Sequence, residues 1–191
     1  MLKILCNALL ILLLSVPCYA DMNGYVAGSS AAAVACGVQD SATTRDSDRY
    51  LGYTNMGTCV WGSFTPSSTY LAKNFTFYLK KGGAPTGTIT VFVCDDSDGT
   101  NATAVGTISE ASLTTSYAEY SVSYPTGYQF SSGTRRWFRL SVNRAESGSA
   151  ITYVGYNSDD SENVASSVTT TCTYSEYDTS AILYYKTSTC E

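Results

Sequence analysis

Between Asp95 and Asn101 the chain sets Asp95, Asp96, Asp98 and Asn101 around a glycine, with side-chain oxygens at alternate positions. Calcium takes several hard oxygen ligands without strict geometry, so Asp96, Asp98 and Asn101 are the expected ligands of a structural calcium. An ordinary acidic turn accounts for the same residues, because Asp and Asn bond their own backbone at turns. The loop also lacks the bidentate Glu that closes an EF-hand. A second acidic stretch, with Asp159, Asp160 and Glu162, adds ligands only if the fold brings both loops to one end. Histidine is absent from the chain, which removes Ser-His-Asp and Cys-His machinery and the HExxH zinc site. A carboxylate pair of glycosidase type is the remaining catalytic option, drawing on Asp95, Asp96, Asp98, Glu110, Glu119, Asp159 and Asp160. Most of these sit at turns, and the expectation is a protein with no catalytic residues and no cofactor, the structural calcium standing as the alternative to an ordinary acidic turn.

The first twenty residues read as an export signal: Lys3 is the positive start, Ile4 to Val16 is an apolar run too short to span a bilayer, and Cys18 and Ala20 are small residues at a cleavage site. Pro17 argues against lipidation at Cys18. Cleavage after Ala20 takes 20 residues from 191 and leaves 171, enough for one domain with a sizeable core. Only Lys3 among charged residues leaves with the signal, so the mature chain carries 10 basic and 16 acidic groups and a net charge of −6. That balance excludes counterion-driven nucleic-acid binding and serves solubility. No other segment is apolar enough for a membrane span.

Export gives meaning to the cysteines. Cys36, Cys59, Cys94, Cys172 and Cys190 remain, and an oxidising compartment turns such a set into bridges. Five is odd, and no CxxC pair suggests zinc or thioredoxin-like chemistry. Cys36 with Cys59 is the preferred pair. Cys94, on a strand, is as readily a buried thiol as a bridged one. A hairpin turning near Tyr177 would separate Cys172 from Cys190 by ~25 Å, which disfavours that pair. Cys190 is penultimate, at an exposed terminus, so a disulfide-linked homodimer through Cys190 is expected; a bridge from Cys190 to Cys94 or Cys36 is the alternative.

What must position these groups is a set of strands. Apolar alternation punctuated by turn residues marks Tyr50 to Tyr53, Thr58 to Phe64, Leu71 to Lys80, Thr88 to Cys94, Ala104 to Ile108, Ala118 to Tyr124, Arg136 to Val142, Ile151 to Tyr156, Ser167 to Tyr174 and Ala181 to Lys186. No segment has helical periodicity. Two packed antiparallel sheets follow, since a single sheet would leave an apolar face wet, and the fold class is an all-β sandwich of jelly-roll type. Residues 21–49, rich in Gly, Ala and Ser, read as a flexible N-terminal arm that is either a linker or an added edge strand, and 50–191 as the sandwich domain.

Alternation also assigns faces. Phe75, Phe77 and Leu79 point to the core with Ile89, Val91 and Val93, while Thr76, Tyr78 and Lys80 point outward. Phe138, Leu140 and Val142 are core, and Trp137, Arg139 and Ser141 form the opposite row. Trp137, Arg139 and Tyr78 are therefore the candidate ligand-binding residues, able to stack on a sugar ring or a surface partner. Cover by a loop or by the arm is the commoner fate of such a tryptophan, and the same holds for Trp61.

The unit from Phe75 to Val93, with a Gly83-Ala84-Pro85-Thr86-Gly87 turn between two strands, then Ala111 to Tyr117 and Phe130 to Leu140, resembles the choice-of-anchor type R jelly-roll domain of bacterial secreted proteins. The resemblance runs from about Gly57 to Tyr185. It implies a β-sandwich at a cell surface or outside the cell, without enzymatic activity. No sorting helix or basic tail follows before Glu191, so a freely secreted form is expected. Together these readings predict a secreted module that binds carbohydrate or a cell-surface protein, with a structural or self-assembling envelope component as the alternative and a glycosidase third.

Overall fold

The computed structural model describes residues 37–52, 58–96, 99, 101–143, 150–158, 164–166, 172 and 182–190. The chain divides into two compact units, 1–35 and 36–191, and all described residues belong to the second. The signal segment therefore lies outside the described residues, as do Cys36, Asp98, Asp159, Asp160 and Glu162.

Twelve strands form two antiparallel sheets: β1 Val38–Ala42, β2 Ser47–Leu51, β3 Cys59–Phe64, β4 Tyr70–Gly82, β5 Thr88–Cys94, β6 Thr103–Ser109, β7 Ala118–Phe130, β8 Arg136–Val142, β9 Ile151–Asn157, β10 Val164–Ser166, β11 Ile182–Leu183 and β12 Tyr185–Ser188. One sheet has seven strands, in the order β1-β12-β4-β9-β11 with β2 on β9 and β7 on β4; the other runs β10-β3-β8-β5-β6. From β4 onward the chain crosses repeatedly between the sheets, as a jelly roll does. The all-β sandwich expected from alternation is the fold observed.

Its core follows the predicted rows. Phe75, Phe77 and Leu79 are fully buried with Ile89, Val91 and Val93 of the facing sheet. Phe138 closes the gap between the layers, stacking on Phe64 at 4.6 Å and meeting the edge of Phe77 at 5.3 Å. Each such ring removes enough apolar surface from water to contribute about 1.5–3 kcal/mol.

Two expectations change. Residues 38–51 belong to the seven-stranded sheet: β1 pairs with β12 and β2 with β9. The domain thus begins before residue 50, because Val38–Ala42 satisfies the backbone edge that β12 would otherwise leave open. The final strand is also broken. Ile182 and Leu183 pair with β9, Tyr185 to Ser188 pair with β4, and Tyr184 sits at the break with its N–H on the Gly155 carbonyl at 3.0 Å. Consequently one edge of β4 changes partner, from β12 at Asn74 to Phe77 to β9 at Leu79 to Gly82, and Tyr78 lies at the fork.

Candidate functional site

The fork builds a pocket on the outer face of the seven-stranded sheet. Tyr78 points outward between two further tyrosines, parallel to Tyr117 at 5.1 Å and to Tyr184 at 4.7 Å. Gly155 lies beneath Arg45. A β-carbon there would stand 2.7 Å from Cδ of Arg45 and 3.4 Å from the Tyr78 ring, so the missing side chain lets Arg45 lie flat across the sheet. Thr43, Arg45, Tyr78, Glu119 and Tyr184 line a depression of about 360 Å³.

Charges around it are paired through two carboxylates. Asp48 accepts Arg45 Nη1 at 2.9 Å, Lys80 Nζ at 3.5 Å and the Tyr117 hydroxyl. Arg45 also stacks 4.1 Å above the Tyr117 ring, and Lys80 lies between Tyr117 and Tyr153 at 4.5 and 4.7 Å. Glu119 accepts Lys186 Nζ and the Tyr184 hydroxyl, each at 2.5 Å and each on Oε1. Those two bonds, the lysine's first, hold the Glu119 carboxyl below its ordinary value. Burial, reinforced by the carboxylate each phenol faces, pushes Tyr117 and Tyr184 well above the usual tyrosine range. Both therefore remain protonated donors over any working pH.

Trp137 and Arg139 stand elsewhere. They face away from the main core, as alternation predicts, but on the opposite sheet, so the three candidate ligand-binding residues do not form one site. Trp137 is 6% exposed, packed in a second small core with Cys59, Trp61 and Cys94 and flanked by Phe92, Ala102 and Cys172. It offers no platform to a ligand. Arg139 is spent on its neighbours, with its guanidinium 4.0 Å from the Phe92 ring and 5.2 Å from Trp61. Gly99, at φ +82°, comes so close that a β-carbon would stand 2.9 Å from Trp61 and 3.0 Å from Arg139, so Gly99 itself covers these two side chains.

In that loop Asp95 accepts Asn101 Nδ2 at 3.3 Å and the Tyr128 hydroxyl at 3.2 Å, with Arg136 Nε at 3.6 Å. The expected calcium ligand Asn101 thus turns its amide to Asp95, Asp96 is half-buried beside it, and Asp98 lies outside the described residues. Among the described residues no group of three acidic or Cys side chains could hold a metal. Glu110, a candidate for the carboxylate pair, is fully buried and accepts Gly87 N–H at 2.9 Å and the Thr152 hydroxyl at 2.6 Å. It cannot reach a substrate.

The disulfide assignment is corrected. Cys59 bonds to Cys172, with Cα atoms 5.4 Å apart, and not to Cys36. Both sulfurs sit on the outer face of the five-stranded sheet, with Cys59 opposite Ser141 on β8 and the Cys172 sulfur 3.5 Å from the Thr58 hydroxyl. Cys190 is itself disulfide-bonded, so its sulfur is already used in this chain and the dimer through Cys190 is not the observed arrangement. Cys94 is buried as a thiol, outside the disulfides. Among the described residues no helix is long and apolar enough to cross a membrane.

Sequence reasoning found Tyr78, had Glu119 only as a candidate for a carboxylate pair, and missed Tyr117, Tyr184 and Arg45. The members come from separate segments: the β4–β7 pairing sets Glu119 opposite Tyr78, and the fork in β4's pairing brings in Tyr184.

The chain matches no protein-family model and no curated protein sequence. Among solved structures it is similar to the crystal structure of the cysteine protease and lectin-like domains of Cwp84, a surface layer associated protein of Clostridium difficile, at 11% identity and a TM-score of 0.44, over 68% of this chain and 31% of that one.

Proposed function

We propose that this protein is a secreted, non-catalytic β-sandwich of the choice-of-anchor type R kind that binds carbohydrate through the tyrosine-lined face of its seven-stranded sheet. The observation that carries the reading is the pocket at the fork: the half-buried Tyr78 ring, backed by the buried Tyr184 ring, beside a guanidinium, a carboxylate and a hydroxyl. The edge of an aromatic ring offers a sugar's C–H surface a dry contact, and convergent polar groups fix its hydroxyls. Export through the first twenty residues agrees with the Cys59–Cys172 bridge, which needs an oxidising compartment to persist. Non-catalytic action agrees with the absence of histidine and with the burial of Glu110.

Polysaccharide pull-down and glycan-array binding test the reading, with Tyr78→Ala as the control. Retention on at least one glycan that Tyr78→Ala abolishes supports it. A chain that binds no glycan is instead a structural or assembly component, and one that binds equally well without the Tyr78 ring does not bind through this face.

A further inference from the structure

The outer face continues beyond the pocket in a regular order. Register puts Glu119 opposite Tyr78, Ser121 and Lys186 opposite Thr76, and Ser123 and Ser188 opposite Asn74, so one polar rung joins β7 to β4 and two more cross β7, β4 and β12. Thr76 and Ser121 share a hydrogen bond at 2.7 Å, and Ser123 donates to Asn74 Oδ1 at 2.9 Å. Ser121 and Ser123 are exposed and Thr76 and Asn74 half-exposed, so each hydroxyl keeps lone pairs open to solvent. From Tyr78 to Asn74 the rungs span ~14 Å at the usual strand rise.

The charges on this face decide which glycan it suits. Arg45 and Lys80 share the Asp48 carboxylate and Lys186 has Glu119, so each of these three cations faces a carboxylate. Glu119 uses only Oε1 for Lys186 and Tyr184, which leaves Oε2 as an open acceptor lining the pocket. The whole chain is acidic, with a net charge of −5. An open carboxylate oxygen accepts hydroxyl protons and repels another carboxylate or a sulfate.

We infer that the ligand is a neutral linear oligosaccharide, with one sugar in the Tyr78–Tyr184 pocket giving hydroxyl protons to Glu119 Oε2 and the following units lying along β4 over the hydroxyl rungs. This inference rests on the glycan-binding reading. It excludes uronic-acid and sulfated chains and requires a gain in affinity with chain length.

The test is calorimetric titration of the full chain with neutral series, from one to six units, of β-linked glucose, xylose, mannose and N-acetylglucosamine, and with oligogalacturonate and heparin fragments. The expected result is binding of a neutral series whose affinity rises over the ~14 Å that the rungs span, about three sugar units, and then levels off. Glu119→Gln should weaken it about tenfold or more, the loss of a hydrogen bond to a charged acceptor. Thr76→Val with Ser121→Ala should remove the gain with length while leaving single-sugar binding unchanged. Preference for the acidic probes, no gain with length, or Glu119→Gln binding as wild type while Tyr78→Ala binds nothing would overturn the inference and leave the glycan-binding reading standing. Binding of none of the probes overturns both.

Discussion

Glu110 is the residue whose removal should hurt the fold most for its size. Its carboxyl, at 0% exposure, ties the turn before β5, through Gly87, to Thr152 of β9, which belongs to the other sheet. Glu110→Ala leaves a buried N–H and a buried hydroxyl without that partner, and should cost about 3 kcal/mol or more in denaturant melts. A loss under 1 kcal/mol would show that water or a neighbour replaces the carboxyl. Glu119 is the contrasting case, since it is exposed and its pKa is depressed by Lys186 and Tyr184. A depressed carboxylate stabilises the fold fully above its ordinary value of 4.5, and that contribution is lost as pH falls below this through the lowered folded-state value. Wild type should therefore lose melting temperature faster than Glu119→Gln as pH falls from about 5 to 3, by a small margin because solvent screens the pair. Parallel acid slopes for the two proteins would contradict the assignment.

At the scale of elements, strand alternation separates neighbours of opposite fate. Phe77→Ala should cost about 3–5 kcal/mol, since its ring is fully buried against Phe138, whereas Tyr78→Ala should cost much less and strike binding instead. Equal losses in urea melts would refute the face assignment. Gly155→Ala makes a finer test of the fork. Gly155 is buried, but the new methyl meets the stem of Arg45 and the Tyr78 ring and not backbone, so Arg45 must move: stability should fall by about 1 kcal/mol, the low end for overpacking, and glycan binding should fall with it. Unchanged binding would mean that Arg45 is no part of the site. The strands and their core rows were legible in the chain because period-two alternation is local: Thr88–Cys94 and Arg136–Val142 fall where the pattern put them. The site was legible at Tyr78, and at Glu119 only as one of several candidate carboxylates. Its other members meet through pairings distant in sequence, and the cover over Trp137 comes from the segments of Ala102 and Cys172, which no local pattern announces.

For the whole molecule the governing constraint is covalent. The strands that meet at the fork come from both ends of the domain, and Cys59–Cys172 closes a loop across a sequence separation of 113. Spacing alone did not reveal this pair, since a bridge needs only proximity in the folded state, and the outer face of the five-stranded sheet supplies it. Closing so long a loop removes freedom mainly from the unfolded chain, so Cys59→Ser with Cys172→Ser should lower stability by about 4–5 kcal/mol with the sandwich intact below its new midpoint. Cys94 supplies the internal control. As a buried thiol it should react with a thiol reagent only on unfolding, and its protection should fall in step with the stability lost by the double variant. Peptide mapping without reductant should recover the Cys59–Cys172 pair, Cys190 in a bridge and a monomeric chain. A disulfide-linked dimer, or a Cys94 that labels fully in the native protein, would mean that the covalent frame differs from the one that holds the fork together.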